Sequence, residues 1–240
     1  SLVMLNIAGG GCVDDLRVLE KDAGFARVLR RVEFHPDVSG RKERRKRERR
    51  WHKERKRAVP SPPVVFRYLG AFSDSAEEAK RGVGYAFIPS HNEHLLAPGK
   101  VNEDLVSFAQ RKALHEEATL DQDATLIETY KAEALRGYKG DKAYQPLTTY
   151  WAEQDMVLHS EFRDGNVPAG CGNLMVLKET LRILPQGVMK VYFRSDTAAY
   201  QKDLLIYCAE GKDERFGVIE FAVGVDVTAE FKRAVAQRRE

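Results

Sequence analysis

The chain has 240 residues, 43% of them apolar and 31% charged, with a formal net charge of +3. That apolar share is enough to bury a core, which excludes a disordered chain, and the length allows one large or two small domains. No apolar stretch is long enough to span a membrane and no charged segment precedes an apolar leader, while Cys12, Cys171 and Cys208 are odd in number and widely spaced. This is the pattern of reduced, buried thiols in a cytoplasmic protein rather than a disulfide framework.

From the start, Ser1-Leu2-Val3-Met4 opens directly into structure, as if the beginning were clipped. Gly9-Gly10-Gly11 lacks the Lys-Ser or Lys-Thr that completes a phosphate loop and reads as a flexible turn. Leu16, Leu19, Phe25, Val28 and Leu29 then predict one amphipathic helix over 13–31. Residues 41–57 hold twelve Lys or Arg and three Glu, a net of +9; +3 overall less +9 leaves −6 on the remainder. Positive charge gathered in this way is the footprint of a polyanion-binding element, and it puts Arg44, Arg45, Arg47, Arg49, Arg50, Lys53, Arg55 and Arg57 forward as backbone contacts to nucleic acid. The plain alternative is a solvated helix in which Glu43, Glu48 and Glu54 offset their neighbours. Pro60-Ser61-Pro62-Pro63 reads as a rigid spacer and hinge, and short helices are expected over 65–72, 77–80 and 101–112. His91-Asn92-Glu93-His94 has two imidazoles but no further ligand at zinc spacing, and is read as a loop. Residues 1–112 are thus expected to form a helical DNA-binding and bridging region.

Beyond 112 the pattern changes to strand, hairpin, strand, helix, strand, helix, strand, that of a mixed α/β layer fold with flanking helices. Strands are expected over 118–127, 144–151, 156–162, 188–193 and 216–225. Helices are expected over 168–184 and 198–209, with another starting near 227. Two aspartates end strands here, Asp123 in the first and Asp196 after the fourth, and carboxylates at the rim of a sheet can converge on a hard cation. Alternation places Asp121 on the same face as Asp123, so either could be the first ligand. A strand-ending Asp is also common for turn reasons alone. Tyr138, Lys139 and Tyr144 lie on the predicted hairpin edge, where a ring could stack on a base and Lys139 meet phosphate, or the rings could simply pack on the sheet. Arg163 and Arg194 flank the aspartates as phosphate donors, with salt bridges to Asp164 or Glu161 as the alternative.

In that order, Thr119-Leu120-Asp121-Gln122-Asp123-Ala124-Thr125, Tyr138-Lys139-Gly140, Tyr144-Gln145-Pro146-Leu147, Glu161-Phe162-Arg163-Asp164-Gly165-Asn166-Val167-Pro168 and Arg194-Ser195-Asp196-Thr197 resemble the DDE transposases of bacterial insertion sequences, transposase DDE domain group 1. The resemblance implies a ribonuclease H-like core over 113–240 in which two Asp and one Glu hold Mg2+, for which Mn2+ substitutes, and catalyse DNA strand cleavage and strand transfer. It implies double-stranded DNA as partner, a homodimer for the full-length protein, and no membrane. The first acid falls on Asp123, two residues before Thr125, with Asp121 as fallback or supporting ligand, and the second on Asp196. Glu220, Glu230 and Glu240 do not match the third, which is expected beyond Glu240. A fragment of a longer transposase is therefore expected, by truncation or gene decay, and inactive alone. A non-catalytic DNA-binding remnant and a ribonuclease H-like nuclease are the other readings.

Overall fold

An aspartate interrupts the long N-terminal helix that the apolar spacing predicts. Asp22 leaves helical geometry at φ −82° and ψ 105°, and its Oδ1 accepts from Gly24 N at 2.7 Å and Phe25 N at 2.9 Å. It therefore ends one helix and caps the next. The computed structural model describes residues 2–33 and 57–238, and it divides into two compact units, Ser1–Asp74 and Ser75–Glu240.

The first unit contains α1 (Leu2–Ile7), a 3-10 turn (Val13–Asp15), α2 (Leu16–Lys21), α3 (Ala23–Glu33) and α4 (Pro62–Gly70). Leu5, Leu16, Val59 and Val65 form its small core, with Leu19, Phe25 and Leu29 packed on it. Two carboxylates do the stapling. Asp15 accepts from Cys12 N and Gly11 N, and these bonds hold its carboxyl below the usual range. Glu20 accepts from Ala58 N at 3.2 Å and Val59 N at 2.9 Å, which ties the chain after the basic run to α2. The expected proline spacer is corrected: Pro62 occupies the first turn of α4, where its missing N–H costs nothing, so the Pro60-Ser61-Pro62-Pro63 segment starts a helix.

The second unit begins with α5 (Ser75–Glu78) and α6 (Glu93–Lys112). Asn92 caps α6 by accepting from Leu95 N at 3.0 Å, so the helix starts eight residues before the expected 101 and absorbs Glu93 and His94. Asn102 Nδ2 donates to Leu158 O at 2.6 Å, and Val106 is fully buried in the core beneath the sheet. Helix α6 thus belongs to the compact unit Ser75–Glu240 together with the sheet.

Seven strands follow: β1 (Glu117–Ala124), β2 (Ile127–Glu128), β3 (Ala143–Tyr144), β4 (Leu147–Trp151), β5 (Met156–Glu161), β6 (Lys190–Ser195) and β7 (Glu220–Val223). Between and after them lie α7 (Asn173–Ile183), α8 (Lys202–Ala209) and α9 (Ala229–Gln237). The main sheet runs β5-β4-β1-β6-β7, with β1, β4 and β5 antiparallel and β6 and β7 parallel to β1. A central strand flanked by a meander on one side and parallel strands reached through helices on the other is the ribonuclease H-like arrangement. Helix α7 lies against β4 and β5, and α8 against β7.

Two expected strands are shorter for backbone reasons. Pro146 cannot donate to a ladder, so 144–151 splits into β3, which pairs with β2 in a separate ribbon, and β4. Similarly β1 stops at Ala124, where Thr125 N turns to Pro146 O at 3.1 Å. Helix α7 begins at Asn173 rather than 168 because Gly172, at φ +74°, precedes it, a conformation that favours glycine. The cysteine expectation also changes: Cys208 is buried, but Cys12 and Cys171 are exposed.

Candidate metal centre

Strand β1 alternates. Ala118, Leu120 and Gln122 face the core, while Thr119, Asp121 and Asp123 face the open side. On β6, Val191 and Phe193 are buried and Arg194 is exposed, as is Asp196 directly after the strand. The parallel register pairs Leu120 with Phe193, Asp121 with Arg194 and Gln122 with Ser195. One residue further along both strands stand Asp123 and Asp196, at the carboxyl ends of two neighbouring parallel strands. Strand register thus brings together two residues far apart in sequence.

Each carboxylate is held on one oxygen. Asp196 caps the 3-10 turn Thr197–Ala199, and its Oδ1 accepts from Ala198 N at 2.9 Å. Asp123 Oδ2 accepts from Thr125 Oγ1 at 3.4 Å. Oδ2 of Asp196 and Oδ1 of Asp123 have no hydrogen-bond partner among the described residues, and both side chains are exposed. Two exposed carboxylates, each with an oxygen to give, suit a hard divalent cation. Among the described residues, no group of three or more His, Cys, Asp or Glu is gathered for a metal.

Asp121 is differently employed. Arg194 Nε and Nη2 meet its two carboxylate oxygens at 2.6 and 2.7 Å, a bidentate pair that raises the arginine pKa through the hydrogen bond to Asp121. The pair is solvent-exposed, where water and salt screen it, so it adds little to stability. It occupies Asp121 and Arg194 with each other.

Arg163 lies elsewhere than expected. Its side chain is 0% exposed and its Nε donates to Glu161 Oε1 at 2.7 Å, so it is a core residue and no surface donor to phosphate. Asp164 pairs instead with Arg81, which also bonds Glu78. Of the three cations expected to meet DNA in this unit, Arg163 is buried and Arg194 is paired, while Lys139 is exposed with its Nζ 5.8 Å from the ring of exposed Tyr138. Tyr144 is packed against Phe162, with ring centroids 4.7 Å apart.

Of the basic run, Arg44, Arg45, Arg47, Arg49, Arg50, Lys53 and Arg55 lie outside the described residues. Arg57 is described, and it approaches Glu20 at 3.9 Å and donates to Val59 O at 3.4 Å.

Sequence reasoning missed the polar side chains directly behind the aspartates. Gln122 is 2% exposed, Thr149 0% and Asn173 2%, all within an otherwise apolar core. Gln122 Nε2 donates to the main-chain O and Oδ1 of Asn173 at 3.1 and 3.3 Å, and Thr149 Oγ1 donates to Gln122 Oε1 at 3.3 Å. The available signal was a glutamine at the core-facing position between Leu120 and Ala124.

No curated protein matches the chain. Solved structures that share 14% identity include the Mos1 transposase paired-end complex with left transposon end, at a TM-score of 0.30, and the Mos1 mariner paired-end complex with Mn, at 0.29. Each match covers 89% of this chain and 70% of the other. No helix among the described residues is long and apolar enough to cross a membrane. The model of the transposase DDE domain group 1 matches residues 1–240, and the chain therefore belongs to this family of transposases.

Proposed function

We propose that this chain carries the catalytic aspartate pair of a DNA transposase that cleaves and joins DNA strands of an insertion sequence, with Asp123 and Asp196 as ligands of Mg2+ or Mn2+. The observation that carries the reading is the register: Gln122 pairs with Ser195, so the two exposed carboxylates are successive to one paired row. A divalent cation held there would polarise a phosphoryl oxygen and lower the pKa of the attacking hydroxyl. The protein's own contribution is placement. Ala198 N–H orients Asp196, Thr125 Oγ1 touches Asp123, and the Arg194 pair keeps Asp121 occupied beside them. DNA is the proposed partner, met by the arginines of the basic run and by Lys139 beside Tyr138, through contacts that release counterions and weaken steeply with salt.

A second reading is DNA binding without catalysis, since among the described residues no group of three or more His, Cys, Asp or Glu is gathered. Incubation of the full chain with supercoiled plasmid carrying transposon ends, with Mg2+ or Mn2+, separates the two. Cation-dependent nicking that disappears in Asp123→Asn and Asp196→Asn supports catalysis. Salt-sensitive binding without nicking supports the second reading, and nicking that persists in both variants contradicts the site.

A further inference from the structure

Ala198 is gripped at both ends. Its N–H donates to Asp196 Oδ1 at 2.9 Å, and its carbonyl accepts from Asn173 Nδ2 at 3.1 Å and Gln201 Nε2 at 3.0 Å. Asn173 can give its Nδ2 to Ala198 only if its Oδ1 points away, and Gln122 Nε2 supplies the donor that fixes it so. Gln122 is in turn fixed by Thr149 Oγ1, which donates to Gln122 Oε1. A chain of hydrogen bonds thus runs from the interior of β4 through β1 and the first residue of α7 to the turn that holds the Asp196 carboxylate.

The approach is close as well as directed. A Cβ on Gly170 would lie 3.0 Å from Ala198 O, and one on Gly224 would lie 3.0 Å from Thr197 N. Polar groups buried this deeply are costly unless paired, and apolar side chains of the same shape would fill the core as well. What the polar set adds is a fixed geometry.

We propose that Asn173 is the positioning residue of the Asp196 carboxylate, with Gln122 and Thr149 setting the orientation of its amide. This rests on the reading of Asp123 and Asp196 as a cation pair, but it concerns the metal-free chain too. The role differs from general core packing because it acts on one rotamer.

The test is nuclear magnetic resonance on the labelled full chain without metal, using three-bond couplings that report the Asp196 side-chain rotamer, followed by titration with Mn2+ alone. In the parent, Asp196 holds a single rotamer. In Asn173→Ala and in Gln122→Leu it averages among several, and Mn2+ affinity falls roughly 10- to 100-fold, the range for loss of a group that orients a ligand. Where Asn173→Ala does not fold, Gln122→Leu, which keeps the volume, decides. Folded variants with unchanged Asp196 couplings would overturn the positioning role. A parent chain that binds no Mn2+ would overturn the cation reading instead, while the couplings still decide the role of Asn173.

Discussion

Ser195 Oγ donates to the main-chain carbonyl of Gln122 at 2.7 Å, and this bond fastens the residue before Asp196 to the residue before Asp123. It adds a side-chain tie to the last ladder row of β1 and β6. The two carboxylates therefore leave their strands from a common, cross-linked base, with Gln122 turned inward between Asp121 and Asp123. Their separation is set by backbone spacing, which places side chains more precisely than loops do.

The employment of Asp121 by Arg194 gives a direct contrast. Asp121→Asn is expected to leave Mn2+ affinity within about threefold of the parent, while Asp123→Asn and Asp196→Asn each lower it at least about tenfold, the loss that accompanies removal of an orienting or liganding group. Calorimetric titration with Mn2+ checks the order of the three. Equal losses would return Asp121 to the ligand set.

Arg163 and Glu161 form a pair with side chains 0% and 1% exposed, and Arg163 Nη1 and Nη2 have no hydrogen-bond partner among the described residues. Removing either partner strands the other charge in the core. Glu161→Ala and Arg163→Ala are each expected to cost about 3–5 kcal/mol in unfolding free energy, measured by urea titration. The salt dependence of DNA binding by any folded Arg163 variant is expected to match the parent, since the guanidinium does not reach the surface.

His159 predicts an acid limb. Burial lowers its pKa below the ordinary 6.5, outweighing the upward pull of Glu179 and Glu161, while His91 and Arg163 add to the lowering. Its Nε2 lies 3.2 Å from Glu179 Oε2, yet neither atom has a hydrogen bond of acceptable geometry, which is why burial prevails. Below pH 6.5 the unfolded chain takes up this proton more readily than the folded one, so stability is complete above that value and is lost as the pH falls toward the folded pKa. Urea midpoints measured from about pH 7.5 to about pH 5.5 should fall in the parent and fall less in His159→Gln.

The thiols should separate by reactivity. Burial pushes Cys208 up to about 11, whereas Cys12 and Cys171 are exposed. Because the thiolate is the reactive form, a maleimide at neutral pH is expected to label Cys12 and Cys171 within minutes and Cys208 only on unfolding. Mass spectrometry of the labelled, digested protein reads this site by site.

The parts of the fold legible in the sequence are those in which a local pattern and the tertiary outcome agree. The apolar rows of α7 and α8 and the alternation of β1 are of this kind, as is the ending of α7 before Pro185. Boundaries differ where one residue makes or cannot make a backbone bond: Asp22 caps α3, Asn92 caps α6, and Pro146 has no N–H for the ladder. The aspartates are legible as strand ends, but the proposed preference for Asp123 over Asp121 rests on Arg194, which stands 73 residues from Asp121 and meets it only through sheet register. For Arg163 the sequence offers phosphate contact and a salt bridge to Glu161 side by side, and the choice needs the burial of both side chains in the core.

The central claim is that Asp123 and Asp196 share a divalent cation. Soaking crystals of the chain in Mn2+ and locating the ion by its anomalous signal tests it most directly, since Mn2+ accepts the oxygen-rich sites of Mg2+. The account predicts a peak between the Asp123 and Asp196 carboxylates, with Asp121 still bound to Arg194. A peak that excludes either aspartate, or two ordered carboxylates with no peak between them, would contradict it.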